Sequence, residues 1–271
     1  MAEVEAREPD EITEAMADTA EEKAGRGTGA AIVLGLLAGA YIALGGLFAV
    51  VAGAGADGMM PHGAVQVLAG AVFSVGLILV LLAGGELFTG NTLMVVGAAK
   101  DRFPLGDLFG SWVLVWVANL VGSLLVVALA LAAGFHEGGD GAVGARAAEV
   151  AANKAGKAPL AVVASGVLAN VLVVLAVWMA AGGRSAADKV LVIVLPIAGF
   201  VAMDLEHSVA NMSLLPLGLG AAALMGPEAG AQAGAMPGWG AAALNVALST
   251  LGNALGGAAI GLAYWVATRR G

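Results

Sequence analysis

The chain contains no cysteine, so neither disulfide bonds nor thiolate metal sites contribute, and cysteine usage assigns no redox compartment. Charge is scarce. Only 12% of the 271 residues are Asp, Glu, Lys or Arg against 60% hydrophobic, a balance that a soluble core and shell of this length could not keep in solution. An integral membrane protein is therefore expected, with the lipid bilayer as its solvent. Aromatic residues make up 5%, so the few that fall inside apolar segments merit individual attention. Cations are scarcer than anions, 12 Lys and Arg to 20 Asp and Glu, and the anions crowd the N-terminus at Glu3, Glu5, Glu8, Asp10, Glu11, Glu14, Asp18, Glu21 and Glu22. That segment is solvated, and no nucleic-acid partner is expected. The first residues are acidic rather than basic then apolar, which argues against a cleaved signal peptide. Metal-ligand clusters and nucleotide loops are missing too, so neither an enzyme nor a cofactor is expected.

What the chain has in quantity is glycine, 42 residues of it, along with abundant alanine. In lipid, helices associate through close backbone approach, which small residues permit. Gly35-x-x-x-Gly39, Gly252-x-x-x-Gly256 and Gly257-x-x-x-Gly261 fit that role, and collectively the glycines predict a tightly packed bundle.

Pro9 and Asp10 are helix start signals, and Ile12, Met16 and Ala20 recur at helical spacing, so residues 9–24 read as a short amphipathic helix. Its narrow apolar stripe is suited to the membrane surface or to a neighbouring protomer. Residues 1–27 are taken as a cytoplasmic amphipathic segment, and 28–271 as the transmembrane domain. Apolar runs long enough to cross a bilayer cover about Thr28 to Val51, Ala64 to Val96, Leu108 to Ala133, Pro159 to Ala181, Lys189 to Leu224 and Trp239 to Ala267. The stretch from Gly134 to Lys157 reads as a polar, charged loop.

Two of the six runs are interrupted. In the second, Gly84-Gly85-Glu86-Leu87-Phe88-Thr89-Gly90-Asn91 breaks the helical pattern; in the fifth, Asp204-Leu205-Glu206-His207-Ser208-Val209-Ala210-Asn211-Met212 places three ionisable side chains near the midpoint. A charge at the bilayer centre costs roughly 2.5–3.5 kcal/mol, so such residues are buried in protein or line a path for water. Non-helical backbone at that depth must likewise face a protein-lined cavity. His207 is the side chain able to titrate near neutral pH. Glu86 and Glu206 are expected to accept from backbone donors in the interruptions, while His62 and His136 fall in loops and are expected to be solvated.

Six spans put both ends of the chain on one face. That face collects Arg7, Lys23, Arg26, Lys100, Arg102, Arg184, Lys189, Arg269 and Arg270, leaving Arg146, Lys154 and Lys157 opposite, so the termini are expected to be cytoplasmic. Asn119-Leu-Val-Gly122 in the third span is echoed by Asn253-Ala-Leu-Gly256 in the sixth, and the interrupted spans are the second and fifth. The reading is an all-α membrane protein with an inverted three-plus-three repeat of helices, which places a permeation site where the broken helices meet.

Several segments resemble the formate/nitrite transporter family: Phe73-Ser74-Val75-Gly76-Leu77, Gly85-Glu86-Leu87-Phe88-Thr89-Gly90-Asn91, Asp188-Lys189 with Leu195-Pro196, and Glu206-His207-Ser208-Val209-Ala210-Asn211-Met212 with Pro216. Their order and spacing match, from about residue 9 to 270, including Trp112, Asn119, Asn170 to Trp178 and Tyr264-Trp265. The resemblance implies a homopentamer in a bacterial cytoplasmic (inner) membrane, each protomer with an aquaporin-like pore for a small anion. It implies Leu87, Phe88 and Thr89 as a cytoplasmic-side loop, His207 as proton relay with Thr89, and Phe73, Leu77 and Phe200 as apolar constrictions. Asn170 matches a pore-lining amide and Lys154 an external-side lysine that attracts anions. On spacing alone, Phe73, Leu77 and Phe200 read as ordinary packing and Lys154 as a loop cation.

The chemistry is consistent with that implication. A compact anion cannot cross a dry apolar ring, whereas its conjugate acid can, and an imidazole with an ordinary pKa near 6.5 can hold the proton. Formate is the first choice and nitrite the second; hydrosulfide, lactate and acetate stay open. A neutral-solute channel is the alternative, although the Asn-Pro-Ala pair usual in aquaporins is absent. One departure stands out: Asp204-Leu205 replaces the family's usual Gly-Phe before Glu-His. Asp204 is expected to tune the site, raising the His207 pKa if the two groups meet, or repelling anions or binding a cation if it faces a cytoplasmic vestibule.

Overall fold

A computed structural model describes residues 6–56, 58–226, 236 and 238–269; Glu3, Glu5 and Arg270 lie outside the described residues. Helix α1 (Pro9–Ala24) opens with Pro9 in its first turn, and the Glu11 carboxylate accepts from the Glu8 backbone N–H. Helices α2 (Thr28–Gly53), α3 (His62–Gly84), α4 (Phe88–Ala99), α5 (Leu105–Ala132), α6 (Ala142–Ala155), α7 (Pro159–Gly182), α8 (Ala186–Ala202), α9 (Ser208–Met225) and α10 (Trp239–Thr268) follow. Six of them, α2, α3, α5, α7, α9 and α10, are long and apolar enough to cross a membrane. This is an integral membrane protein, and the outward faces of these helices carry exposed Leu129, Leu160, Leu168 and Leu255, suited to lipid.

Glycine sets the closest approaches. A Cβ at Gly39 would run into the Asn119 backbone and one at Gly122 into the Leu36 carbonyl, which clamps α2 on α5. Gly252 and Gly256 stand in the same relation to Val163 and Val167, which clamps α10 on α7. Only backbone without side chains allows helices this near one another.

Two expectations are corrected. The stretch read as a loop from Gly134 to Lys157 contains α6, whose Val143, Ala147 and Ala151 are buried, with Ala147 and Ala151 against Gly218 of α9. Its apolar stripe is nearly all alanine, too weak a signal against the surrounding polar residues. Helix α1 lays its apolar stripe on its own chain: Ile12, Ala17 and Ala20 are buried against Gly182, Gly97 and the cluster of Leu93, Val96, Val174 and Trp178. Arg7 donates to the carbonyls of Ala181 and Gly182, and Thr268 donates to Thr13, so both ends of the chain meet on one face.

Candidate functional site

The two interruptions are closed by the same set of bonds. Gly84 takes φ +94°, Gly85, Glu86 and Leu87 leave the helical conformation, and α4 starts at Phe88. Asn119, from the middle of α5, accepts from the Phe88 N–H at 2.9 Å and donates to the carbonyls of Glu86 and Gly35 at 2.8 Å each. In the fifth span Asp204 takes φ +49° and α9 starts at Ser208. There Asn253, from α10, accepts from the Ser208 N–H at 2.8 Å and donates to the carbonyls of Glu206 at 2.9 Å and Gly166 at 2.7 Å. Backbone groups left unpaired at this depth cost several kcal/mol each, and one asparagine per interruption settles two of them while its third bond ties the break to a neighbouring helix.

Because the asparagines have taken the backbone, the carboxylates do not, contrary to expectation. Glu86 instead accepts from Asn91 at 2.7 Å and Lys23 at 3.0 Å, and the Arg26 guanidinium pairs with its other oxygen at 2.8 Å. Glu206 accepts from Asn211 at 2.6 Å, Asn245 at 3.1 Å, Lys154 at 3.2 Å and Lys157 at 2.7 Å. Each carboxylate is buried, and each has two cations and at least one amide, the arrangement that makes a buried charge tolerable.

Between these clasps Thr89 and His207 meet. His207 Nε2 lies 2.9 Å from Thr89 Oγ1, and both side chains are buried. The Ala210 N–H donates to His207 Nδ1 at 3.1 Å, so Nδ1 is the acceptor and Nε2 carries the proton that it donates to Thr89. The Thr89 hydroxyl hydrogen is thereby left for another acceptor.

Cavities approach this pair from both sides. One, of about 300 Å³, is lined by Lys23, Arg26, Glu86, Leu77 and Leu87 on the face of the chain termini. The other, of about 220 Å³, is lined by Arg146, Lys154, Asp204, Asn211, Phe73 and Phe200 on the opposite face. Phe73 and Phe200 meet edge to face at 5.6 Å, and the Phe200 ring lies 5.6 Å from the imidazole. A water occupies about 30 Å³ of liquid, so each cavity has room for a small hydrated ion.

A family description, formate/nitrite transporter, matches residues 10–266. The chain belongs to the formate/nitrite transporter family. It is 37% identical over 264 residues to the formate channel FocA of Escherichia coli (strain K12), covering 93% of this chain and 92% of that protein. It is 33% identical to the nitrite transporter NirC of the same strain, over 86% of this chain and 81% of the other. Among solved structures, a pentameric formate channel with formate bound superposes with a TM-score of 0.81 at 34% identity, covering 89% of this chain and 97% of that one. These relatives are channels and transporters, and the protein is not an enzyme.

Within this member of the formate/nitrite transporter family, the residues singled out from sequence separate into those at the cavities and those behind them. Phe73 and Phe200 border one cavity, Leu77 and Leu87 the other. Phe88 packs on Trp112 at 6.1 Å and lines neither cavity. Asn170 lies beneath Thr89, donating to the Thr89 carbonyl, Thr92 Oγ1 and the Asn253 carbonyl. Lys154 sits in the last turn of α6, buried on Glu206 rather than free in a loop.

Asp204 faces neither the imidazole nor the cavity on the face of the termini. Its carboxylate lies 2.7 Å from Lys157 and 3.7 Å from Lys154, in the cavity on the opposite face. At φ +49° it ends α8 in the left-handed conformation where glycine is favoured, which accounts physically for the residue usual there. Burial opposes the Lys157 charge, yet Glu206 and Asp204 hold its pKa above the ordinary lysine range. His136, expected in solvent, is buried in a short 3₁₀ turn against Gly144, whereas His62 is exposed at the start of α3. Lys23, Arg26, Lys157 and Asn245 were not singled out for the site; an asparagine inside an apolar span, such as Asn245, is the signal that was there to read.

Proposed function

We propose that the protein is a transmembrane channel or transporter for small monovalent weak-acid anions, formate first and nitrite second, with hydrosulfide, lactate and acetate as further candidates. The observation that carries this reading is the buried Thr89–His207 pair, with a separate cavity on each face of the bundle, one lined by Leu77 and Leu87 and the other by Phe73 and Phe200. FocA and the formate-bound pentameric channel support formate, and NirC supports nitrite.

The anion crosses the apolar constriction as its conjugate acid. The imidazole first gains a proton at Nδ1 from water in the cavity that Ala210 lines, as its bond from Ala210 opens. The Nε2 proton then moves to Thr89 Oγ1 while the Thr89 hydroxyl proton moves to the anion, so that anion plus imidazolium become neutral acid plus neutral imidazole. Phe73, Leu77, Leu87 and Phe200 exclude bare ions, since a charge without water or partners is far costlier there than a neutral acid. The unpartnered oxygens of Asn170 and Asn211 and the hydroxyl of Ser208 are buried polar atoms available to a passing polar molecule.

The matching clasps of Asn119 and Asn253 support two inverted halves of three spans, with the second and fifth as broken helices. Residues 28–271 form the pore domain and 1–27 the cytoplasmic segment. The bias of cations supports cytoplasmic termini, and the relatives from Escherichia coli support a bacterial inner membrane. The exposed apolar helix faces and the pentameric relative support a homopentamer with one path per protomer. The deciding experiment is swelling of proteoliposomes in sodium formate or sodium nitrite against glycerol, with an internal pH dye. Swelling in formate with proton movement is the expected result; swelling in glycerol alone would assign a neutral-solute channel.

A further inference from the structure

The two cavities differ in charge, and one residue makes much of the difference. On the face of the termini, Lys23, Arg26 and Lys189 line a cavity whose carboxylate is Glu86, with Glu22 reaching Arg26 from the rim at 2.7 Å. On the opposite face Lys154 and Lys157 meet two carboxylates, Glu206 and Asp204, while Arg146 is taken by Glu149 at 2.7 Å. One end keeps positive charge over; the other is balanced.

The two ends otherwise correspond closely. Lys23 and Arg26 hold Glu86 with the same three-residue spacing by which Lys154 and Lys157 hold Glu206, and Asn91 and Asn211 donate to the respective carboxylates at 2.7 and 2.6 Å. Gly84 and Asp204 each stand two residues before the glutamate, both with positive φ. Where one end has a hydrogen atom, the other has a carboxylate. It is half-exposed, and its oxygen sits 2.7 Å from the Lys157 ammonium, as a carboxylate arriving from solution would.

We propose that Asp204 is a specificity-determining residue that makes the two mouths unequal: it acts as a tethered carboxylate occupying the lysines of one mouth, so that an anion must displace it there but not at the other end. The proposal rests on the reading of the protein as a pathway for small carboxylates. Asp204 touches no part of the Thr89–His207 pair, so it acts on capture rather than on proton transfer. Lys157 is bonded to it through both the side chain and the Asp204 carbonyl at 2.6 Å, so removing the carboxylate leaves the lysine in place.

The test separates binding from passage. Formate binding to the solubilised full-length protein is measured by calorimetry, and formate flux in proteoliposomes is followed against concentration. Asp204→Asn keeps a side chain that tolerates the left-handed backbone, and Asp204→Gly relaxes it. Both should bind formate about five-fold more tightly at low ionic strength, the scale of one exposed ion pair, with an equal fall in half-saturating concentration and an unchanged maximal flux. The gain should shrink as salt is raised. Gly84→Asp should have the converse effect at the other mouth and weaken binding there.

Equal or weaker binding in both Asp204 variants overturns the proposal, as does a change in maximal flux with half-saturation fixed. Wild-type protein that binds formate without passing it overturns the transport reading and leaves the effect of Asp204 on binding fully readable. No formate binding by wild type or variant overturns both.

Discussion

Nε2 of His207 donates to Oγ1 of Thr89 across 2.9 Å, joining two interruptions that lie 118 residues apart in the chain. The opposite ring nitrogen is held by the Ala210 N–H at the start of α9, which fixes the tautomer and aims the ring. The imidazole is therefore oriented by backbone and exposed to chemistry through one hydroxyl. In the proposed relay, Thr89 is the group an arriving anion meets.

His207→Asn keeps polarity and approximate size but cannot take up a proton in this pH range. Formate uptake by this variant should lose its dependence on external pH and its accompanying proton movement, read with the internal dye. A wild-type pH profile and proton stoichiometry would remove His207 from the relay.

Thr89→Val preserves shape and deletes the hydroxyl that the proposed relay places between imidazole and anion. Loss of a buried hydrogen-bond partner costs about 1–3 kcal/mol of stability, tolerable in a well-packed bundle. Coupled proton uptake should fall at least about ten-fold, the scale of one general-acid contact or more, while the oligomer elutes normally. Thr89→Ser should restore most of it.

Glu206→Ala removes the acceptor of Lys154, Lys157, Asn211 and Asn245 together and leaves the buried Lys154 with only the more distant Asp204 carboxylate. A loss of about 3–5 kcal/mol is expected, as for a broken buried ion pair. Melting followed by tryptophan fluorescence should show it, with Glu86→Ala close behind. Lys154→Ala should be milder on stability, since Lys157 stays at 2.7 Å, and should lower uptake most at low salt.

Phe200→Ala opens the apolar closure by removing the ring that meets both Phe73 and His207. Larger monocarboxylates should then pass, read as a changed selectivity series in swelling assays. A destabilised protein with unchanged selectivity would assign Phe200 to packing.

Docking of α1 should depend on pH. Lys100 holds the Glu14 pKa below the ordinary carboxylate value, a hydrogen bond outweighing the opposing effect of partial burial, with Arg102 adding to it. A lowered pKa means stabilisation that is fully present above the unfolded value of about 4.3 and lost as pH falls through the folded one. Hydrogen exchange of α1 amides, corrected for intrinsic rate, should lose protection as pH falls beyond the ordinary glutamate value of about 4.3. Glu14→Gln should flatten that step.

Element boundaries were legible because lipid imposes one rule, long apolar helices, and α2, α5, α7 and α10 end within a few residues of the runs of apolar sequence. The interruptions were legible because ionisable residues at bilayer depth have few permitted uses. The partners of Glu86 and Glu206 were not, since nothing local to Lys23 or Lys157 says that a helix outside the spans folds back over a buried carboxylate. Helix α6 was hidden for a related reason: alanine buries as well as leucine where glycine lies opposite, but it leaves little periodic contrast. The left-handed Asp204 shows the converse, a departure visible in sequence whose direction only the backbone could give.

Each clasp is built from one side of the chain alone. Residues 28–132 supply Gly35, Glu86, Phe88 and Asn119, and residues 159–268 supply Gly166, Glu206, Ser208 and Asn253. The Thr89–His207 pair, by contrast, takes one member from each. A gene cut in the linker between α5 and α6 would therefore yield two fragments, each able to close its own interruption and neither owning a complete pair. Co-expression of the fragments should rebuild the pair, because its two members come together only when both fragments are present.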